Sequence, residues 1–151
     1  MNFSLKRIQY SDWKILLDWR NDDNTRHQFF DSSVIDESAH KTYIKNITNN
    51  PRIEEIDQQY ILYVNDEPAG TIKSSKISNG EYFLSYTISN KFRGKNLSVI
   101  MMQLFLYDMK GIFICEIKNT NLASIKMVER VGYELLTTDN NILTYKLIKK
   151  L

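Results

Sequence analysis

The stretch from Glu81 to Tyr133 places the tightest limit on how this chain can fold. Tyr82, Phe83, Tyr86, Thr87 and Ile88 are the aromatic and β-branched residues of a strand. They run into Asn90-Lys91-Phe92-Arg93-Gly94-Lys95-Asn96-Leu97-Ser98, and an apolar helix follows at once, reaching Lys110 with Gly111 as its predicted C-cap. A strand over Ile112 to Ile117 and a helix over Leu122 to Val131, ended by Gly132, repeat the alternation. A strand–loop–helix unit aims successive backbone N–H groups and the positive helix end at one point, which suits phosphate or pyrophosphate. Arg93 and Lys95 add countercharge. A basic turn ahead of a core helix would account for the first half of this stretch equally well.

The remaining segments supply the rest of a sheet. Phe3 to Ile8 alternates as a strand, and Ser11 is placed to cap a helix over Asp12 to Asn21. Residues 21–35 have no clear period. Asp36 caps a helix whose Ala39, His40, Tyr43, Ile44 and Ile47 share a face, and Asn49-Asn50-Pro51 stops it. Tyr60 to Val64, Ala69 to Ile77 and Glu81 to Ile88 form a meander about Asn65-Asp66-Glu67-Pro68 and Ser78-Asn79-Gly80. Tyr133 to Thr137 and Ile142 to Ile148 close as a hairpin. The expected fold is one mixed α/β (α+β) domain over residues 1–151, with about seven mostly antiparallel strands and about four helices.

Several function classes are disfavoured. The 20 basic and 18 acidic residues are interspersed without a basic block, so nucleic acid is not an expected partner. Cys115 is the single cysteine, which precludes an internal disulfide. The longest apolar run, Leu97 to Tyr107, falls well short of the ~20 residues of a membrane helix. Met1 to Arg7 lacks the apolar core of a secretory signal, and the expected location is the cytoplasm. His27, His40 and Cys115 have no metal-ligand spacing, so no metal is expected.

Two blocks together carry a family resemblance. Residues 86–98 resemble the acetyl-CoA loop of the GNAT acyltransferases, Arg/Gln-x-x-Gly-x-Gly/Ala after a strand, and residues 121–133 resemble its companion Asn-x-x-Ser/Ala … Gly-Phe/Tyr helix. Asp18-Trp19-Arg20-Asn21-Asp22, followed by Glu37-x-x-His40, is similar to the subgroup of ribosomal-protein N-terminal and amino-sugar-nucleotide acetyltransferases. The resemblance implies a V-shaped split between central strands and acetyl-CoA as cosubstrate. The main chain of Tyr86, Thr87 and Ile88 would pair with the pantetheine arm. Arg93, Gly94, Lys95, Asn96, Leu97 and Ser98 would cradle the pyrophosphate, with Asn121 beside the arm and Ser124 near the sulfur. Asn96 and Ser98 depart from the family glycines, though asparagine tolerates a left-handed φ. Val128 stands where many relatives carry a proton-donating tyrosine.

Acyl transfer needs an oxyanion site, a proton for the thiolate and a base for the amine. Candidates are a backbone N–H near Tyr86 to Ile88 for the oxyanion, Ser124 to position the sulfur, Tyr86 as a tyrosine within reach of the cleft, and Glu81, the nearest carboxylate on the central strand, as the base. Arg20, Asp22, Arg26, Asp31, Glu37 and His40 are candidate contacts for the acceptor, an amine of a small molecule or a peptide N-terminus. A degenerate, non-catalytic domain that binds CoA or a protein partner is the alternative, supported by Asn96, Ser98 and Val128. Either a monomer or a homodimer is compatible with the sequence.

Overall fold

In a computed structural model, residues 1–49 and 57–150 are described, so Asn50 and Pro51 of the expected helix stop lie outside the described residues. Strand β1 (Phe3–Arg7) is followed by α1 (Trp13–Asn21), the single turn α2 (Asp23–Arg26) and α3 (Glu37–Asn49). Next come the meander β2 (Gln58–Val64), β3 (Glu67–Ser78) and β4 (Glu81–Ile88), then α4 (Leu97–Leu106), β5 (Gly111–Lys118) and α5 (Leu122–Val131). The hairpin β6 (Glu134–Asp139) and β7 (Ile142–Lys149) completes a seven-stranded sheet of order β1-β2-β3-β4-β5-β7-β6.

Every neighbouring pair is antiparallel except β4 with β5. That parallel pairing joins Glu81, Tyr82 and Phe83 to Ile112, Phe113 and Ile114 and goes no further. The strands then part, so the expected V is present at the middle of the sheet. Its closed end is fixed at Gly111, where φ is +138° and an added Cβ would lie 2.6 Å from the Gly80 carbonyl oxygen. That carbonyl accepts from the Ile112 N–H at 2.7 Å. Gly111 therefore opens β5 and is not the C-cap of α4, which already ends at Leu106.

Strand alternation splits the core into two layers. Leu62, Ile72, Leu84 and Phe113 face α4 and α5, meeting Met101, Phe105 and Val128. Ile8 and Ile61 face the other way, onto Leu16, Ile44 and Ile47 of α1 and α3. Each fully buried aliphatic or aromatic side chain here contributes roughly 1.5–3 kcal/mol. The core stripe of α4 is Leu97, Met101, Met102, Phe105 and Leu106, while Leu104 is 40% exposed. The helix is apolar on more than one face, so its period alone does not tell which leucine turns outward.

At the helix starts, the caps differ from expectation at α1. Asp36 does cap α3, its carboxylate accepting from the Ala39 N–H at 3.0 Å. Ser11 does not cap α1; a 3-10 turn over Tyr10–Asp12 precedes it, and the Asp12 carboxylate reaches back to the Gln9 N–H at 2.8 Å. Gly132 ends α5 with φ +112°, the left-handed conformation glycine adopts freely.

Candidate active site

Where β4 and β5 part, a cleft of about 1070 Å³ opens between β4, β5, α4 and α5. The main-chain edge of β4 beyond Phe83 has no strand beside it, as a peptide-like arm would require. At one end stands the N-terminus of α4. Asn96 adopts φ +57° and its side chain makes no cap hydrogen bond, so the first N–H groups of α4 carry no side-chain cap. Gly94, at φ +81°, has open space where a Cβ would be. Uncapped N–H groups at a helix start favour an anion. Gly94, Asn96, Leu97 and Ser98 line the cleft with Arg93. Lys95 lies outside the lining, its ammonium over the Phe92 ring at 5.5 Å.

The middle of the cleft holds the polar pair. Asn121 caps α5 by accepting from the Ser124 N–H at 3.2 Å, which fixes the first turn of that helix. The Ser124 hydroxyl is hydrogen-bonded to the Tyr86 hydroxyl from β4. Burial raises the Tyr86 phenol far above its ordinary range, with the bond to Ser124 acting the other way, so the phenol holds its proton. Cys115 is buried and its thiol is pushed up to about 12 by burial, which makes it a core group and not a nucleophile. Tyr133 packs beside it, its phenol raised chiefly by burial. Val128 is fully buried, and Tyr86 brings a phenol to the cleft from the opposite wall.

Glu81 stands apart from this centre. It lies at the closed end of β4, outside the cleft lining, and its carboxylate accepts from the Ser78 hydroxyl at 2.6 Å.

Residues 22–29 span the mouth of the V. Asp22 caps α2, accepting from the Thr25 N–H at 3.1 Å, and its carboxylate also takes a hydrogen bond from Asn90. Those hydrogen bonds hold the Asp22 carboxyl below its usual range against the raising effect of burial. Arg93 donates to the Ile88 carbonyl at 3.0 Å and to the Thr25 hydroxyl, so its guanidinium ties α2 to the end of β4. On the other side, Lys118 at the end of β5 donates to the His27 carbonyl at 2.9 Å. The segment is thus fastened to both splayed strands. Of the other candidates, Arg26 within the segment pairs with Asp23 at 2.7 Å, and just beyond it the Asp31 carboxylate accepts from the Ser33 hydroxyl at 2.6 Å. Glu37 pairs with Lys41 on the exposed side of α3.

A smaller cavity, about 320 Å³, lies on the opposite face of the sheet between β4 and the helices α1 and α3. Arg20, Phe29, His40, Tyr43, Gln59, Lys73, Ser85 and Thr87 line it, and residues 85–87 of β4 border both cavities. His40 Nε2 is 3.1 Å from the Trp13 carbonyl oxygen. A carbonyl only accepts, so Nε2 carries the hydrogen and Nδ1 keeps its lone pair. Burial lowers the His40 pKa, partly offset by that bond, and keeps the ring neutral.

Sequence reasoning does not reach this cavity, the Tyr86–Ser124 contact or the double fastening of residues 22–29. The Asp22-x-x-Thr25 spacing is a legible capping signal for α2. The other contacts join residues 38 to 91 positions apart and leave no local trace.

No family model and no curated protein matches the chain. Solved structures do. A RimL ribosomal L7/L12 alpha-N-protein acetyltransferase in complex with coenzyme A superposes with TM-score 0.81 at 14% identity, covering 98% of this chain and 94% of that one. The aminoglycoside acetyltransferase AAC(6')-Ib in complex with coenzyme A gives TM-score 0.77 at 16% identity, over 98% and 95%. Spermidine N-acetyltransferase from Vibrio cholerae, in complex with CoA and spermine, gives 0.80 at 10% identity, over 97% and 95%. From end to end, then, the chain has the fold of the GNAT N-acetyltransferases.

Proposed function

We propose that this protein is an acetyl-CoA-dependent N-acetyltransferase that acylates a primary amine of a small molecule or a peptide N-terminus. The observation that carries this reading is the junction at residues 85–87 of β4. There, a cleft with an open strand edge and an uncapped helix N-terminus meets a second cavity from the other face of the sheet. Two substrates entering from opposite sides would meet at that strand. The fold neighbours, which carry CoA and act on peptide, aminoglycoside and polyamine amines, agree with it.

In the reaction the amine nitrogen attacks the thioester carbonyl carbon, the C–N bond forms and the C–S bond breaks. The backbone N–H groups at Tyr86 to Ile88 are the donors available to the oxyanion, a contribution of a few kcal/mol in acyl transfer. The sulfur leaves as a thiolate that accepts a hydrogen bond from the Ser124 hydroxyl, itself bonded to Tyr86, and takes its proton from solvent. The amine gives up its proton to His40, whose lone pair at Nδ1 belongs to the one neutral imidazole lining the acceptor cavity. Glu81, bonded to Ser78 outside both cavities, takes no part. We place the activity in the cytoplasm, where a single buried thiol stays reduced.

The test is the thermal midpoint with and without acetyl-CoA, against desulfo-CoA and an adenosine diphosphate fragment. At 100 times the dissociation constant the expected stabilisation is about 2.7 kcal/mol, roughly 5–10 °C for a domain of this size. Thiol release on adding amines would follow. No shift at millimolar acetyl-CoA would overturn the assignment.

A further inference from the structure

The acceptor cavity has a charge that its reaction does not require. Two cationic side chains, Arg20 and Lys73, line it, and among its described lining residues there is no carboxylate. Lys73 is partly neutralised by Asp57 at 3.6 Å and lies over the Tyr43 ring at 4.8 Å. Arg20 is different. Its guanidinium is stacked on the Phe29 ring at 3.8 Å, and Nη2 donates to the Asp31 carbonyl at 2.9 Å. Nη1 is buried and has no hydrogen-bond partner. The Asp31 carboxylate attracts Arg20 from nearby but makes no direct hydrogen bond to it; its Oδ1 instead accepts from the N–H and hydroxyl of Ser33 at 3.0 and 2.6 Å.

A buried cationic donor left without an acceptor is costly unless something supplies one. Arginine presents its nitrogens as a planar fork that matches carboxylate and phosphate oxygens. The stacking on Phe29 fixes the plane of that fork beforehand. A polycation entering the same cavity would meet Arg20 and Lys73 and find no lining carboxylate to receive its extra charges.

We infer that the acceptor is a small amine that also bears an anionic group, carboxylate or phosphate, and that Arg20 selects it by pairing with that group through Nη1. A cavity of about 320 Å³ lies at the low end of ligand pockets, roughly 300–1,000 Å³. Amine and anion are therefore only a few bonds apart. The inference rests on the acyl-transfer reading and narrows it.

The experiment measures CoA release with matched pairs: α-amino acids against their amides, and O-phosphoethanolamine against ethanolamine, with spermidine as the polycation. The charged member of at least one pair is expected to exceed its neutral partner at least tenfold in kcat/KM, and the pair that does so identifies carboxylate or phosphate. Raising salt lowers that ratio. In Arg20→Gln the ratio falls to near unity, and Arg20→Lys recovers part of it. Should Arg20→Gln fail to fold, the ratio in the unaltered protein and its salt dependence decide the matter. Equal or better use of the amides, ethanolamine or spermidine overturns the inference while leaving acyl transfer standing. So does protein whose midpoint rises with acetyl-CoA but which turns over none of the anionic amines. Loss of the acetyl-CoA shift itself would strike the acyl-transfer reading instead.

Discussion

Tyr86 of β4 and Ser124 in the first turn of α5 meet hydroxyl to hydroxyl across the split sheet. The contact joins the two walls of the cleft at the height where β4 borders both cavities. It holds the serine hydroxyl in place from behind, while Val128 of the same helix is buried in the core.

Removing either hydroxyl should slow the chemical step. Ser124→Ala is expected to lower kcat roughly 10²-fold, the scale of losing one hydrogen-bond donor to developing charge. Tyr86→Phe should cost less, and the double variant should cost little more than Ser124→Ala alone, because the two act as one unit. Single-turnover acetyl transfer measures this. Additive losses would mean that the hydroxyls work separately.

Asn96 holds φ +57° at the start of α4. A Cβ-bearing residue without asparagine's local hydrogen bonding pays about 1–2 kcal/mol for that conformation. Asn96→Ala should lower the urea midpoint accordingly and weaken acetyl-CoA, whereas Asn96→Gly should tighten acetyl-CoA by uncrowding the phosphate side. Calorimetry on both variants checks it; a weaker Asn96→Gly complex would refute the second half.

Asp22 both caps α2 and receives Asn90. Asp22→Ala should cost about 1 kcal/mol as a lost cap and release residues 23–29 locally. Amide hydrogen exchange should then speed up in that segment while the core around Met101 and Phe113 keeps its protection.

His40 should make stability depend on pH. Burial depresses its folded-state pKa below the unfolded value, which is ordinarily ~6.5. Between those two values the unfolded chain binds the extra proton. The stabilising contribution is therefore complete above about pH 6.5 and is lost as pH falls through the depressed value. His40→Asn should remove this slope, seen as the difference in unfolding free energy between the two proteins across pH 5–7.5.

Much of the fold is readable from the residues because its punctuation is local. Gly132 behind an amphipathic helix, and Asn65-Asp66 and Asn140-Asn141 at positive φ in two-residue turns, announce themselves in sequence. Asn121 and Ser124, three apart, form a cap that their spacing alone suggests. The features that escape a sequence reading depend on sheet geometry. That Arg93 turns toward Thr25, and that Glu81 sits at the paired end of the strand it shares with Tyr86, follow from where β4 and β5 separate. Nothing near Phe83 in sequence marks that point. Gly111 reads as a helix cap for a related reason, since its true glycine requirement comes from Gly80 on the neighbouring turn and not from the helix that precedes it.

The pairing that stops at Phe83 and Ile114 has one more consequence. Beyond it, the free strand edges are solvated, and a chain-like arm that lies along them exchanges water partners for peptide-like ones. Each such exchange is worth only about 0.5–1.5 kcal/mol. The edge is thus a weak adhesive but a good ruler, because hydrogen bonds spaced at fixed intervals admit one register and reject a slip. On the proposed acyl-transfer reading, tight binding must come from the two ends of the cleft, while the half-closed pair measures out where a thioester would come to rest.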